Sequence, residues 1–135
     1  MEEMTRTEER VEFLQRLSRV IYVLKNDYYL EFMIIWYHRT KDQQKALYEI
    51  GRSLPGKIVT NCDGEIKISN HQLWIAADLV LIQYGKIVWG RCEGYERLGE
   101  VAFSEGLGWG GDWDEDGEED PSDYDIYHVE LRREV

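Results

Sequence analysis

The 135 residues hold only two cysteines, two prolines and three histidines. Cys62 and Cys92 do not have CxxC spacing, which argues against a disulfide framework and predicts buried free thiols. Long apolar runs are missing: none reaches the ~18 residues that would span a bilayer. The N-terminal stretch has no basic head followed by an apolar core, so no export signal is read there and a cytoplasmic start is expected. Basic residues are scarce as well, 16 Lys and Arg against 27 Asp and Glu, for a net charge of -11. With that balance, nonspecific attraction to nucleic acid or to an anionic membrane surface is not expected.

Apolar residues make up 43% of the chain and include five Trp and nine Tyr, enough for a single core. We therefore expect one domain over residues 1–135, acting as a monomer. Thr5 and Glu8 have capping-box spacing, and Val11, Leu14, Leu17, Ile21 and Leu24 recur at helical intervals, predicting a helix over 6–25. Residues 30–37, rich in branched and aromatic side chains, read as a buried strand. Thr40 and Gln43 open a second helix that Gly51 would stop. Residues 58–60 read as a short extended piece and 61–70 as loop. Strands are expected over 75–82 and 86–89 around a turn at Gln83-Tyr84-Gly85, followed by a helix over 93–105 and a last strand over 127–131.

The chemistry centres on Ser69-Asn70-His71, with Asp78 seven residues after the histidine, and on Asp125-Ile126-Tyr127-His128-Val129-Glu130. Two imidazoles and a carboxylate form a catalytic zinc shell with one position left for water. Asp78 lies within an apolar run, where an unpaired carboxylate is costly to bury, so a metal or an arginine must account for it. By spacing alone, Asp125 and Glu130 compete as the general base, because Glu130 is two residues from His128 on the same side of a strand.

Ser69-x-His71-x-x-x-x-Ala76-x-Asp78 resembles the Ser-x-His-x-x-Gly-x-Ala-x-Asp motif of the D-Ala-D-Ala carboxypeptidase and L-alanyl-D-glutamate endopeptidase family of zinc peptidases. Asp125-x-x-His128-x-Glu130 resembles that family's closing motif. Arg39-Thr40, Gln43, Leu47-Tyr48, Gly51-Arg52 and residues 55–60 are similar to its upstream region. Gly106-Leu107 with residues 109–113 is similar to a block of its phage endolysin branch. The likeness spans about residues 28–131 and implies a small α+β domain, with a mostly antiparallel sheet carrying the metal and helices packed on it. It implies zinc on His71, Asp78 and His128, Asp125 as general acid/base, and Arg39 facing the substrate carbonyl or carboxylate. Glu130 and Ser69 are left to support the site or the substrate. His38 falls where the family places no ligand. The implied activity is hydrolysis of a peptide bond in peptidoglycan stem peptides, foremost the L-Ala-D-Glu bond, acting on the wall after release from the producing cell. The alternatives are a D-Ala-D-Ala carboxypeptidase and a non-catalytic wall- or calcium-binding protein.

This sequence departs from the family pattern in two places. Trp74 stands where the family has glycine, and Trp36-Tyr37-His38 replaces a small lead-in to Arg39. Together they are expected to narrow the pocket or shift its specificity, the alternative being a divergent protein that binds metal but cleaves poorly. A second metal is suggested by Asp112-x-Asp114-x-Asp116-Gly117, continuing through Glu118 and Asp120 to Asp123. Carboxylates at alternate positions with glycine at the sharp turn fit a calcium loop, and the alternative is a solvated acidic loop.

Overall fold

The computed structural model of the chain describes residues 5–60, 62–112 and 125–132. Helix α1 covers Arg6–Tyr28, and Thr5 caps it by accepting from Glu8 N–H. Only half of the expected box forms, because the Glu8 carboxylate takes the Thr5 hydroxyl as its donor. Strand β1 (Glu31–Trp36) and helix α2 (Lys41–Glu49) follow, and at α2 the Thr40–Gln43 box is complete. Next come β2 (Ala76–Gln83), β3 (Lys86–Val88), α3 (Glu93–Ser104), β4 (Leu107–Trp109) and β5 (His128–Leu131), with a 3-10 turn over Gly110–Asp112. Residues 58–60 form no strand among the described residues.

The sheet runs β1-β2-β5-β4, with β3 also paired to β2, and its ladders are antiparallel. Tyr84 and Gly85 both have positive φ, the twist that suits a two-residue hairpin between right-twisted strands. Successive side chains alternate across the sheet. On β2, Ala77, Leu79 and Leu81 enter the core, and on β5 Val129 and Leu131 do the same. Helices α1 and α3 cover that face with Phe13, Leu17, Val20, Leu24, Tyr95, Leu98 and Ala102. Each Val, Leu and Phe among them contributes about 1.5–3 kcal/mol on full burial. Tyr95 keeps its hydroxyl satisfied by donating to Val88 C=O and accepting from Leu81 N–H, which ties α3 to the β2–β3 hairpin. Gly99 and Gly111 let their backbones lie against the Trp109 ring, where a Cβ would come within 2.2 Å of it.

Two sequence expectations need correction. Strand β1 is not buried: it forms an edge with only β2 beside it, and Phe32 alone of its residues is enclosed. Branched and aromatic composition therefore marked a strand but not its position in the sheet. Cys62 and Cys92 are free, as read, but only half-buried. No helix among the described residues is long and apolar enough to cross a membrane.

Candidate metal centre

The opposite face of the sheet carries Asp78 on β2 and His128 on β5, paired directly across the ladder. Cross-strand partners present their side chains on one face, so the imidazole and the carboxylate meet. A bulge in β1 between Ile34 and Trp36 re-aims the strand and sets Trp36 opposite Asp78. Trp36 thereby joins the cleft wall, and the chain runs on to Arg39.

His71 arrives from a tight turn ahead of β2. Ile75 N–H bonds Asn70 C=O, and Trp74 N–H bonds His71 C=O. These are the two bonds of a Schellman closure, in which the residue at C′ adopts the left-handed conformation favoured by glycine. Trp74 occupies it with φ 63°. The position where the resembled motif has glycine is left-handed in this chain, and tryptophan fills it. The indole does not narrow the cleft, contrary to expectation. It stacks on His38 at 3.9 Å, meets Tyr37 edge-on and lies under the Arg10 guanidinium, outside the cleft lining. Replacing Trp74 by Gly or by Ala removes the same indole, but only glycine is unstrained at this φ. Trp74→Gly is therefore expected to be about 1 kcal/mol more stable than Trp74→Ala, the reverse of the usual order, as thermal or urea unfolding would show.

Asp78 Oδ1 lies 3.5 Å from His71 Nε2 and 3.4 Å from His128 Nδ1, and the two nitrogens are 3.2 Å apart. Three donors at zinc-ligand distances around a tetrahedral ion stand roughly 3.3 Å from one another, so the spacing fits. Asp78 Oδ1 is buried with no hydrogen-bond partner among the described residues. A metal would relieve that orphaned oxygen. The ring orientations agree as well. His71 Nδ1 donates to Tyr37 C=O at 3.0 Å and His128 Nε2 donates to Glu130 Oε1 at 2.7 Å, which leaves Nε2 of His71 and Nδ1 of His128 facing the cluster. The cluster is a donor set suited to a divalent metal, consistent with zinc.

The second oxygen of Asp78 faces Arg39, with Nη2 at 3.6 Å from Oδ2. The sequence offered a metal or an arginine to account for this buried carboxylate; the arginine faces Oδ2, and Oδ1 faces the histidine pair. Arg39 is held by Gln44, whose Oε1 accepts from Nη1 while its Nε2 donates to Thr60 Oγ1 and Cys62 C=O. Trp36 lies over the guanidinium at 4.9 Å, and Arg39 Nε is buried without a hydrogen-bond partner among the described residues. Gln44, fully enclosed, was missed in the sequence; its signal was a polar residue one helical turn before Leu47 on the face α2 turns inward.

Asp125 lines the same cleft of about 590 Å³, together with Trp36, Arg39, Thr60, Cys62 and Lys67. Burial pushes its carboxyl above the usual range, against the pull of the His128 charge. Ser69 accepts from His71 N–H and stabilises the turn. His38 belongs to the Trp74 stack and not to the metal cluster. Of the calcium-loop residues, Asp114, Asp116, Glu118 and Asp123 lie outside the described residues, and Asp112 is described only as the end of the 3-10 turn.

Charge in the metal-free cluster is strongly coupled. Burial opposes ionisation of Asp78, but the His128 and His71 imidazoles outweigh it and hold the carboxyl well below its usual value. Burial also opposes protonation of His128, but Asp78 and Glu130 on either side of the ring push its pKa up to about 9. A raised folded-state value contributes stability that is complete below the unfolded pKa of roughly 6.5 and lost as pH rises through 9. Metal-free protein is expected to melt at progressively lower temperature across that window. A metal held by this cluster would require His128 to give up a proton, so metal affinity is expected to rise over the same range and metal-loaded protein should not show the decline. Melting curves with chelator and with zinc would check both.

The sheet, its packed helices and this face define the class: a small α+β domain with the fold of zinc peptidases of the D-Ala-D-Ala carboxypeptidase type. The L-Ala D-Glu endopeptidase ChiX of Serratia marcescens superposes with a TM-score of 0.59 and 18% identity over 93% of this chain and 85% of its own. VanY, the vancomycin-resistance D,D-pentapeptidase of the VanB-type cassette, solved as a mutant with Zn(II), gives 0.59 and 14% over 90% and 71%. No family model matches the chain.

Proposed function

We propose that the chain is a zinc-dependent peptidase of peptidoglycan stem peptides that cuts between L-Ala and D-Glu and reaches the wall after release from the cell that makes it. One observation carries this reading: His71, Asp78 and His128 present three donors at tetrahedral spacing in a cleft that also holds Arg39 and Asp125. Support comes from the fold, which is shared with an L-Ala D-Glu endopeptidase and with a Zn(II)-bound D,D-pentapeptidase.

In this reading His71, Asp78 and His128 would hold zinc, which would supply a Lewis acid and a water made nucleophilic near neutral pH. Asp125 takes the proton of the attacking water as its oxygen bonds the scissile carbon, then returns it to the amine as the C–N bond breaks. Arg39, held by Gln44 and the Trp36 ring, faces the negative charge that grows on the carbonyl oxygen. Glu130 is the weaker candidate for the base, because His128 and Asn70 already engage both of its oxygens.

The test is zinc content of protein purified without a metal-affinity tag, followed by digestion of purified peptidoglycan and mass analysis of the products. Near-stoichiometric zinc and new D-Glu amino termini support the reading. Loss of terminal D-Ala alone would make it a carboxypeptidase instead. Failure to take up zinc would end the peptidase reading altogether.

A further inference from the structure

The carboxylate behind His128 is itself gripped. Glu130 Oε1 lies 2.7 Å from His128 Nε2, and Oε2 accepts a 2.6 Å hydrogen bond from Asn70 Nδ2, sixty positions earlier. A carboxylate can only accept, so the amide nitrogen must be the group that faces it. Asn70 is not free to drift: its carbonyl accepts from both Leu73 and Ile75 N–H in the turn that delivers His71. Glu130, in contrast, is a long side chain that remains about one quarter exposed on the cleft wall. Without a second anchor it would exchange its imidazole contact for water.

We propose that Asn70 is a positioning residue of the metal site and acts on His128 through Glu130. The amide holds the carboxylate in line with Nε2–H, which keeps the proton there and turns the Nδ1 lone pair towards Asp78 and His71. The turn bearing one ligand thereby orients the ring of another on β5, and the two segments close on the cluster from both sides.

The inference rests on the metal-binding reading, and a double-mutant cycle in zinc affinity separates the two. Chelator competition is run on the wild type, Asn70→Ala, Glu130→Ala and the double variant, with melting of each metal-free protein in parallel. Asn70→Ala should weaken zinc roughly tenfold and Glu130→Ala by about 10–100-fold, within the range for residues that orient a ligand. The double variant should bind no more weakly than Glu130→Ala alone, because removing the amide costs nothing once its target is gone. Asn70→Ser, too short to reach Glu130, should repeat the alanine result and serves if that variant folds poorly. Wild-type affinity in Asn70→Ala, or a double variant whose loss is the product of the single losses, would overturn the proposal while zinc binding by the wild type stands. A wild type that takes up no zinc overturns the metal reading, and this proposal with it.

Discussion

Replacing His71 by alanine is expected to remove zinc and, with it, all hydrolysis above background. The imidazole is 2% exposed, its Nδ1 is fixed on Tyr37 C=O, and its Nε2 stands 3.5 Å from Asp78 and 3.2 Å from His128. No neighbouring side chain is placed to substitute, since no other His, Cys, Asp or Glu among the described residues joins the cluster. Small zinc sites hold their metal by about 10–16 kcal/mol, so one ligand accounts for roughly 3–4 kcal/mol, or two to three orders of magnitude in affinity. Chelator competition measures that loss directly. Unchanged affinity in the variant would move the metal elsewhere and undo the site described above.

Asp125→Asn should separate chemistry from metal binding. The amide fills the same space but cannot accept and return a proton, so kcat on a defined stem peptide should fall by about 10²–10⁴ with zinc content unchanged. Glu130→Gln should cost far less in kcat, because that carboxylate lies against Nε2 of His128, on the ring edge away from the cluster. The acid limb of the pH profile carries a second signature. Burial raises the Asp125 carboxyl, so activity should begin to fall at a pH above the ordinary carboxylate range as a base with a raised pKa is protonated. A variant that keeps wild-type kcat, or a Glu130→Gln that loses as much, would transfer the role of base to Glu130.

Much of this was legible in the sequence because it rests on local rules. Helical periodicity gave α1 and α3, the Thr40–Gln43 box gave the start of α2, and the turn read at Gln83-Tyr84-Gly85 gave the hairpin. His71, Asp78 and His128 were found by residue type and spacing, and the structure brings all three within reach of one another. What stayed hidden depends on tertiary partners. The exposure of β1 follows from its place at the sheet edge, which alternation within the strand does not report. Trp74 looked like an obstruction in the cleft because a glycine-to-tryptophan change reads as added volume. The constraint at that position is a backbone angle, and the ring turns away onto His38 and Arg10. Gln44 and Asn70 were invisible for a related reason: each acts on a residue brought near only by folding.

The strand order β1-β2-β5-β4 also governs when the site comes into being. Strand β5 enters the middle of the sheet, between β2 and β4, both of which precede it in the chain. It carries His128, which meets His71 across 57 positions of sequence. Closing a loop of that length costs about 3–4 kcal/mol of chain entropy, which must be spent before the cluster can bind anything. A chain interrupted before residue 128 would lack a ligand and leave β2 and β4 unjoined. A metal held by this cluster would therefore be captured only after β5 has paired with β2 and β4, so the proposed activity would appear only once the sheet is closed.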